Sequence, residues 1–314
     1  MFRRNSTVTR IFLCPALRNR SRPPTGTILG TRLGIAGFNP AIKQNPGRAH
    51  RLSASALLIY GRKSTNVSPG RACGSGGGFP DSLLVGDEED SFAWRQDFVQ
   101  TFIERDIPSL GMLIPAPVML RLWTMLAHYH GQTVNYSKLA AAVDVSVPTL
   151  KKYLAILEQT YMIRLLPPCE ANLKKRLIRS PKVYLRDSGI LHALLDIDDY
   201  DQLIGHPTAG ASWEGLALEH AIAAMPRWRP SFIRTSNGAE IDLVMDQGAR
   251  RVVFEFKLSK APKPARGFFE LVDDLQPERA WIIAPVDQAY PYRQKIDVAN
   301  LDLFNADPTS GSLN

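Results

Sequence analysis

The chain has 314 residues, of which 45% are hydrophobic and 22% charged, and a formal charge of +8 at pH 7. That length allows a tail and two modest domains, and no apolar run approaches the ~20 residues of a membrane-spanning helix, so no membrane association is expected. The positive charge does not mark the later domains as nucleic-acid binders. Residues 1–80 hold 11 Arg and 2 Lys with no Asp or Glu, whereas the remainder carries 25 basic against 30 acidic residues.

Residues 1–76 are rich in Arg, Ser, Pro and Gly and show no sustained apolar period. Two readings lead: a disordered tail, or an out-of-frame stretch joined to a genuine reading frame. An Arg-rich, Ser-rich targeting peptide comes next. The abrupt passage from Gly76–Pro80 into acidic sequence favours the first two. Cys14, Cys73 and Cys169 lie far apart and make neither a metal spacing nor a disulfide framework, which points to a reducing cytoplasm. His128, His130, His192, His206 and His220 form no metal pattern either.

Further along, Ser91–Ile107 and Pro117–Tyr129 carry apolar residues at helical spacing, the first ending at Pro108. Ser137–Val143 predicts a short helix. A break at Asp144–Ser146 follows, and then a longer helix with Pro148 in its first turn and Leu150, Leu154, Leu157 and Tyr161 along one face. Short helix, tight turn and longer helix is the layout of a helix-turn-helix. Its second helix offers Thr149, Lys151 and Lys152 near its N-terminus, where recognition helices meet DNA. The segment Arg164–Leu185 reads as a basic hairpin or wing, with Lys174, Lys175, Arg176, Arg179 and Lys182, and Arg186 just beyond. Such a patch suits phosphate contacts; a protein-contacting surface is the competing reading.

The C-terminal third carries the most specific signal. Gly238–Asp246 and Arg251–Ser259 read as strands joined by a two-residue turn at Gly248-Ala249, with Gly first as a type II′ turn prefers. Alternation puts Glu240, Asp242 and Val244 on one face, and Ile241, Leu243 and Met245 on the other. The turn predicts that Asp242 faces Glu255 and that Glu240 faces Lys257. Two carboxylates that close repel unless a proton or a cation intervenes. Converging oxygen ligands suit Mg²⁺ or Mn²⁺, and Lys257 beside them suits an anionic phosphate. The plainer alternative is a Glu240–Lys257 ion pair with Asp242 and Glu255 on a solvated face. Arg229–Thr235 reads as a preceding strand, Pro264–Leu275 as a following helix, and Ala280–Ala284 as a buried strand reached by a right-handed crossover.

Asp242 followed by Glu255-Phe256-Lys257, in that order of elements, resembles the PD-(D/E)xK nuclease superfamily. The resemblance implies that Asp242 and Glu255 hold a divalent metal, that Lys257 is catalytic, and that Glu214 on the preceding helix is the acidic residue many members add. Glu214 also follows Ser212, a candidate N-cap, so favouring the positive end of a helix dipole is its alternative role. More widely, GGFPDSLL (Gly77–Leu84), FIERDIP (Phe102–Pro108), SVPTLKKYLAILEQTYMI, SPKVYLRDSGILHALL, SWEGLALE, RTSNGAEIDLV and FEFKLS resemble the C-terminal half of a prokaryotic family of AAA-type ATPases with a C-terminal domain of unknown function.

The expected fold is therefore α+β/α/β: a basic tail over 1–76, a helical winged-helix domain over 77–200, a PD-(D/E)xK-like domain with a mixed sheet over 201–305, and a short tail over 306–314. That family carries a P-loop before GGFP, and no G-x-x-x-x-G-K-[ST] occurs here, so no ATP binding is expected. A truncated or mis-framed product is the accompanying expectation. The functional expectation is a DNA-associated protein with a metal-dependent nuclease-like site. The alternative is a non-catalytic module that binds DNA or a protein partner and specifies the substrate of an ATPase.

Overall fold

The computed structural model describes residues 76–83, 87–170 and 175–301. Nearly all of the basic tail, with Cys14 and Cys73, lies outside them, as do Lys174 and the 306–314 tail. Among the described residues, no helix is long and apolar enough to cross a membrane.

The first layer is helical. A short turn, α1 (Pro80–Leu83), precedes α2 (Glu88–Thr101). The Asp87 side chain caps α2 by accepting from Asp90 N–H at 2.8 Å, so the helix starts three residues before the apolar pattern does. It does not end at Pro108. It widens into a π-helical turn over Phe102–Asp106 and continues into α3 (Ile107–Ser109), which carries Pro108. Helix α4 (Ala116–His128) leads to a two-residue strand β1 (Gln132–Thr133), then to α5 (Tyr136–Ala142) and α6 (Val147–Gln159). Asn135 and Ser146 cap α5 and α6. Strands β2 (Ile163–Leu166) and β3 (Lys182–Leu185) pair antiparallel, and β1 lies on the far side of β3. Phe102, Trp123, Leu126, Leu139, Leu150 and Leu157 fill the core of this layer.

Strand β3 runs into α7 (Ser188–Leu194), capped by Asp187. The second Asp187 oxygen accepts from Gly78 N–H at 2.6 Å. A Cβ on Gly77 would stand 2.3 Å from that carboxylate, and its φ of +75° favours glycine as well. The GGFP and RDSG stretches thus clamp one another, which accounts for Gly77 without invoking chemistry.

Helix α8 (Tyr200–Gly205) and the long α9 (Ala209–Ala224) lead into a six-stranded mixed sheet. Its strands are β4 (Arg229–Arg234), β5 (Glu240–Gln247), β6 (Arg250–Phe256), β7 (Arg279–Ile283), β8 (Tyr290–Arg293) and β9 (Ile296–Ala299), in the order β4-β5-β6-β7-β9-β8. Strands β4, β5 and β6 are antiparallel, and β7 lies parallel to β6 after the crossover helix α10 (Arg266–Leu275). Both faces of the sheet are covered. Leu218, Ala221 and Ile222 of α9 pack with Leu243, Phe254 and Trp281; Phe268, Leu271 and Val272 of α10 pack with Val244, Val253 and Ile282.

The connection from β2 to β3 is not a free wing. Cys169 N–H donates to Phe232 O and Ile178 N–H to Arg234 O, so the described ends of the loop pair with the β4 edge.

Candidate functional site

Strand β5 is irregular at the residue that matters most. Ser231 pairs with Val244 and Ile233 with Ile241, so β5 fits Asp242 and Leu243 against the single Phe232. This is a β-bulge, which bends a strand and re-aims its side chains. One consequence is that Ile241 packs with Val244 rather than with Leu243, contrary to strict alternation.

The β5–β6 register is the one the turn predicts: Leu243↔Phe254, Val244↔Val253 and so on to Gln247↔Arg250, with Gly248 at φ +63°. The regular pairing stops at Leu243↔Phe254. Beyond it, Asp242 Oδ2 accepts the Phe256 N–H at 2.9 Å, taking the place of a strand carbonyl. The expected Glu240–Lys257 pair does not form. Lys257 Nζ lies 2.6 Å from Glu255 Oε1, and Glu240 turns to Lys182 and Arg234.

Lys182 is the residue the sequence placed wrongly. Expected on an exposed wing, it is 2% exposed. Its Nζ lies 3.0 Å from Glu214 Oε1, 2.5 Å from Glu240 Oε1 and 3.9 Å from Asp242 Oδ1, between the rings of Tyr184 and Phe232. Glu214 Oε1 also accepts from Tyr184 O–H at 2.5 Å. Helix α9 begins at Ala209, so Ser212 is not its cap; the Ser212 hydroxyl bonds the His192 ring instead. Glu214 therefore sits in the second turn and owes its place to Lys182 and Tyr184 rather than to the helix dipole.

Four carboxylates (Glu214, Glu240, Asp242 and Glu255) thus gather with Lys182, Lys257 and the more exposed Arg234. Burial, reinforced by Glu214 and Glu255, pushes the Asp242 carboxyl well above the usual range. Burial also raises Glu255, against the pull of Lys257. Burial works against the charge on Lys182, but the surrounding acids outweigh it and hold the ammonium charged. Lys257 is held charged in the same way, chiefly by Glu255 and Asp242.

Asp242 and Glu255 are 7% and 4% exposed, and Glu255 Oε2 is buried with no hydrogen-bond partner. A buried carboxylate oxygen left without a donor is costly, and a cation removes the cost. Among the described residues, no three Asp, Glu, His or Cys side chains gather closely enough to form a metal cage by themselves. The donors do fit a hydrated divalent ion, since Mg²⁺ keeps several waters and takes only one or two carboxylates. Asp242 Oδ1 and Glu255 Oε2 are the oxygens that would hold it.

The residues expected to contact DNA fare unevenly. Lys151 and Lys152 are exposed near the N-terminus of α6, Lys151 with its Nζ 5.1 Å from the Tyr136 ring. Thr149 is half-buried, and its hydroxyl bonds Ser146 Oγ at 2.8 Å. Arg176 and Arg179 are exposed. Lys175 is engaged by Asp274 at 2.7 Å and by Glu270 at 3.9 Å, and Arg186 by Glu219 at 3.0 Å.

Two family models match the chain, both described as domains of unknown function: DUF8612 over residues 75–201 and DUF4143 over residues 209–304. The first match ends at the start of α8, and the second begins where α9 begins. Uncharacterized proteins of Mycobacterium tuberculosis and Mycobacterium bovis are each 43% identical over 215 residues, covering 68% of this chain and 49% of theirs. The chain therefore spans about half the length of the curated relatives it matches. No solved structure matches it.

Proposed function

We propose that this chain is a DNA-associated module that joins a winged helix to a PD-(D/E)xK-like domain, with a metal-dependent phosphodiester-cleaving site at Asp242, Glu255 and Lys257. The order α4, β1, α5, α6, β2, β3, with β3 central in its small sheet, supports the winged-helix reading. The order α9, β4, β5, β6, α10, β7 supports the nuclease-like one. The observation that carries the proposal is the bulge in β5. It re-aims Asp242, whose Oδ2 accepts the Phe256 N–H next to Glu255 in the chain, and Glu255 Oε2 lies buried and unpartnered with the Lys257 ammonium 2.6 Å from Oε1.

On this reading Asp242 and Glu255 hold the ion, which when bound supplies Lewis-acid stabilisation of phosphoryl charge. Lys257 places a positive charge where the attacked phosphate gains negative charge. Lys151 and Lys152 contact the DNA backbone. The test is nicking of supercoiled plasmid in Mg²⁺ or Mn²⁺. Asp242→Ala and Glu255→Ala proteins, folded as judged by circular dichroism, are expected to lose all cleavage; nicking that survives in both sinks the proposal.

A second reading is favoured by Lys182, which already provides a cation at the cluster. On that reading the sheet is a non-catalytic module that binds DNA or a protein partner and specifies the substrate of an ATPase. Calorimetric titration with Mn²⁺ separates the two, because the non-catalytic reading expects no heat of binding.

A further inference from the structure

We infer that Lys182 is a built-in competitor for the divalent cation, delivered to the carboxylate cluster by the other family segment of the chain; the inference rests on the metal reading of Asp242 and Glu255. Lys182 begins β3, within residues 75–201, whereas the acids it meets belong to α9 and β5, within residues 209–304. Nothing local to β3 asks for a charge there. The neighbours on that strand, Val183, Tyr184 and Leu185, are buried, and burying an ammonium is costly unless acids surround it.

Here they do. Glu214 and Glu240 lie within 3.0 Å of Nζ, and Asp242 Oδ1, an oxygen that would bind the metal, is 3.9 Å away. The rings of Tyr184 and Phe232 wall the ammonium in. Phe232 is also the residue opposite the β5 bulge, so the backbone feature that re-aims Asp242 and the ring that confines Lys182 share one place.

Two cations cannot share these oxygens without repulsion. An ammonium at that range lowers the affinity of a neighbouring cationic centre just as a like charge shifts a titrating group. It also ties the metal state to the position of β3.

Mn²⁺ titration calorimetry on the full chain compares wild type, Lys182→Met, Lys182→Arg and the double variant Lys182→Met/Asp242→Asn. Lys182→Met is expected to bind Mn²⁺ about tenfold tighter or more, since a charge at this range is worth roughly one to three powers of ten. Lys182→Arg, which keeps the charge, is expected to show no gain, and the double variant to lose the site.

Melting curves give a second readout that holds if Lys182→Met folds poorly: Mn²⁺ is expected to raise its melting temperature more than that of wild type. Equal affinity in wild type and Lys182→Met overturns the inference and leaves the metal reading standing. A Lys182→Met protein that stays unfolded in Mn²⁺ overturns it as well. No binding by any variant removes the metal reading itself, and the inference with it.

Discussion

Gly215 shows how a single absent methyl group fixes a contact between the two layers. It sits on α9, two turns from the helix start, and a Cβ there would stand 2.3 Å from His130 Nε2. His130 is buried, its Nδ1 accepts the Leu185 N–H at 3.0 Å, and its ring meets Tyr184 edge-on. Burial holds the ring neutral, with its pKa lowered to about 4. Helical propensity alone favours alanine at position 215, so the sign of a substitution is diagnostic. Gly215→Ala gains up to ~1 kcal/mol of propensity but overpacks the interface, which typically costs about 1–3 kcal/mol and more where backbone must move. A lower midpoint in urea unfolding is expected, and an unchanged or higher one contradicts so close an approach. His130→Ala is expected to relieve the clash, so that Gly215→Ala costs less in that background, a coupling read from a double-mutant cycle.

Elements were legible where periodicity or turn chemistry is strong. The two-residue turn at Gly248-Ala249 fixes the β5–β6 register, and the amphipathic pattern fixes α6 to within a residue or two at its start. The Ser146 cap illustrates the local logic: its hydroxyl accepts the Thr149 N–H at 3.2 Å and bonds the Thr149 hydroxyl. Ser146→Ala is therefore expected to lower stability by about 1 kcal/mol, measured by denaturant unfolding; no loss means that the helix start needs no cap. What the sequence hid are features decided by tertiary contact. The bulge at Asp242 leaves no local mark, because it answers to Phe232 on a neighbouring strand. Lys182 reads as one more charge in a basic run, and only the packing of α9 and β5 against β3 shows that its partners lie 32 and 58 or more residues away in sequence. Strands β1, β8 and β9 are too short to show a period. Asp242 and Glu255 stand out in the sequence because charge inside an apolar strand is costly; Lys182 does not, because charge in a polar stretch is ordinary.

At the scale of the whole molecule, α9 joins the two layers through two acids that do different work. Glu214 shares Lys182 with the sheet, whereas Glu219 faces only the small sheet, accepting from Arg164 Nε and Nη2 and from Arg186 Nε and Nη2. Burial alone would raise the Glu219 carboxyl, but Arg164 and Arg186 outweigh it and hold its pKa down to about 2. A carboxyl whose folded pKa lies below its unfolded value stabilises the fold in full above the unfolded pKa of 4.5, and loses that contribution as pH falls through about 2. At ~1.4 kcal/mol per pKa unit, this contribution is about 3 kcal/mol at neutral pH. Glu219→Gln removes it and leaves two arginines buried without a counter-charge, a loss of roughly 3–5 kcal/mol. The two effects separate by pH. Wild type is expected to lose stability between pH 5 and pH 2.5 more steeply than Glu219→Gln, because the variant has no carboxyl at 219 to protonate. Urea unfolding at both pH values measures this. Parallel pH profiles for the two proteins place the acid sensitivity elsewhere; converging profiles show that the grip of α9 on β2 and β3 is held by this charge, and that acid loosens the layer carrying Lys182.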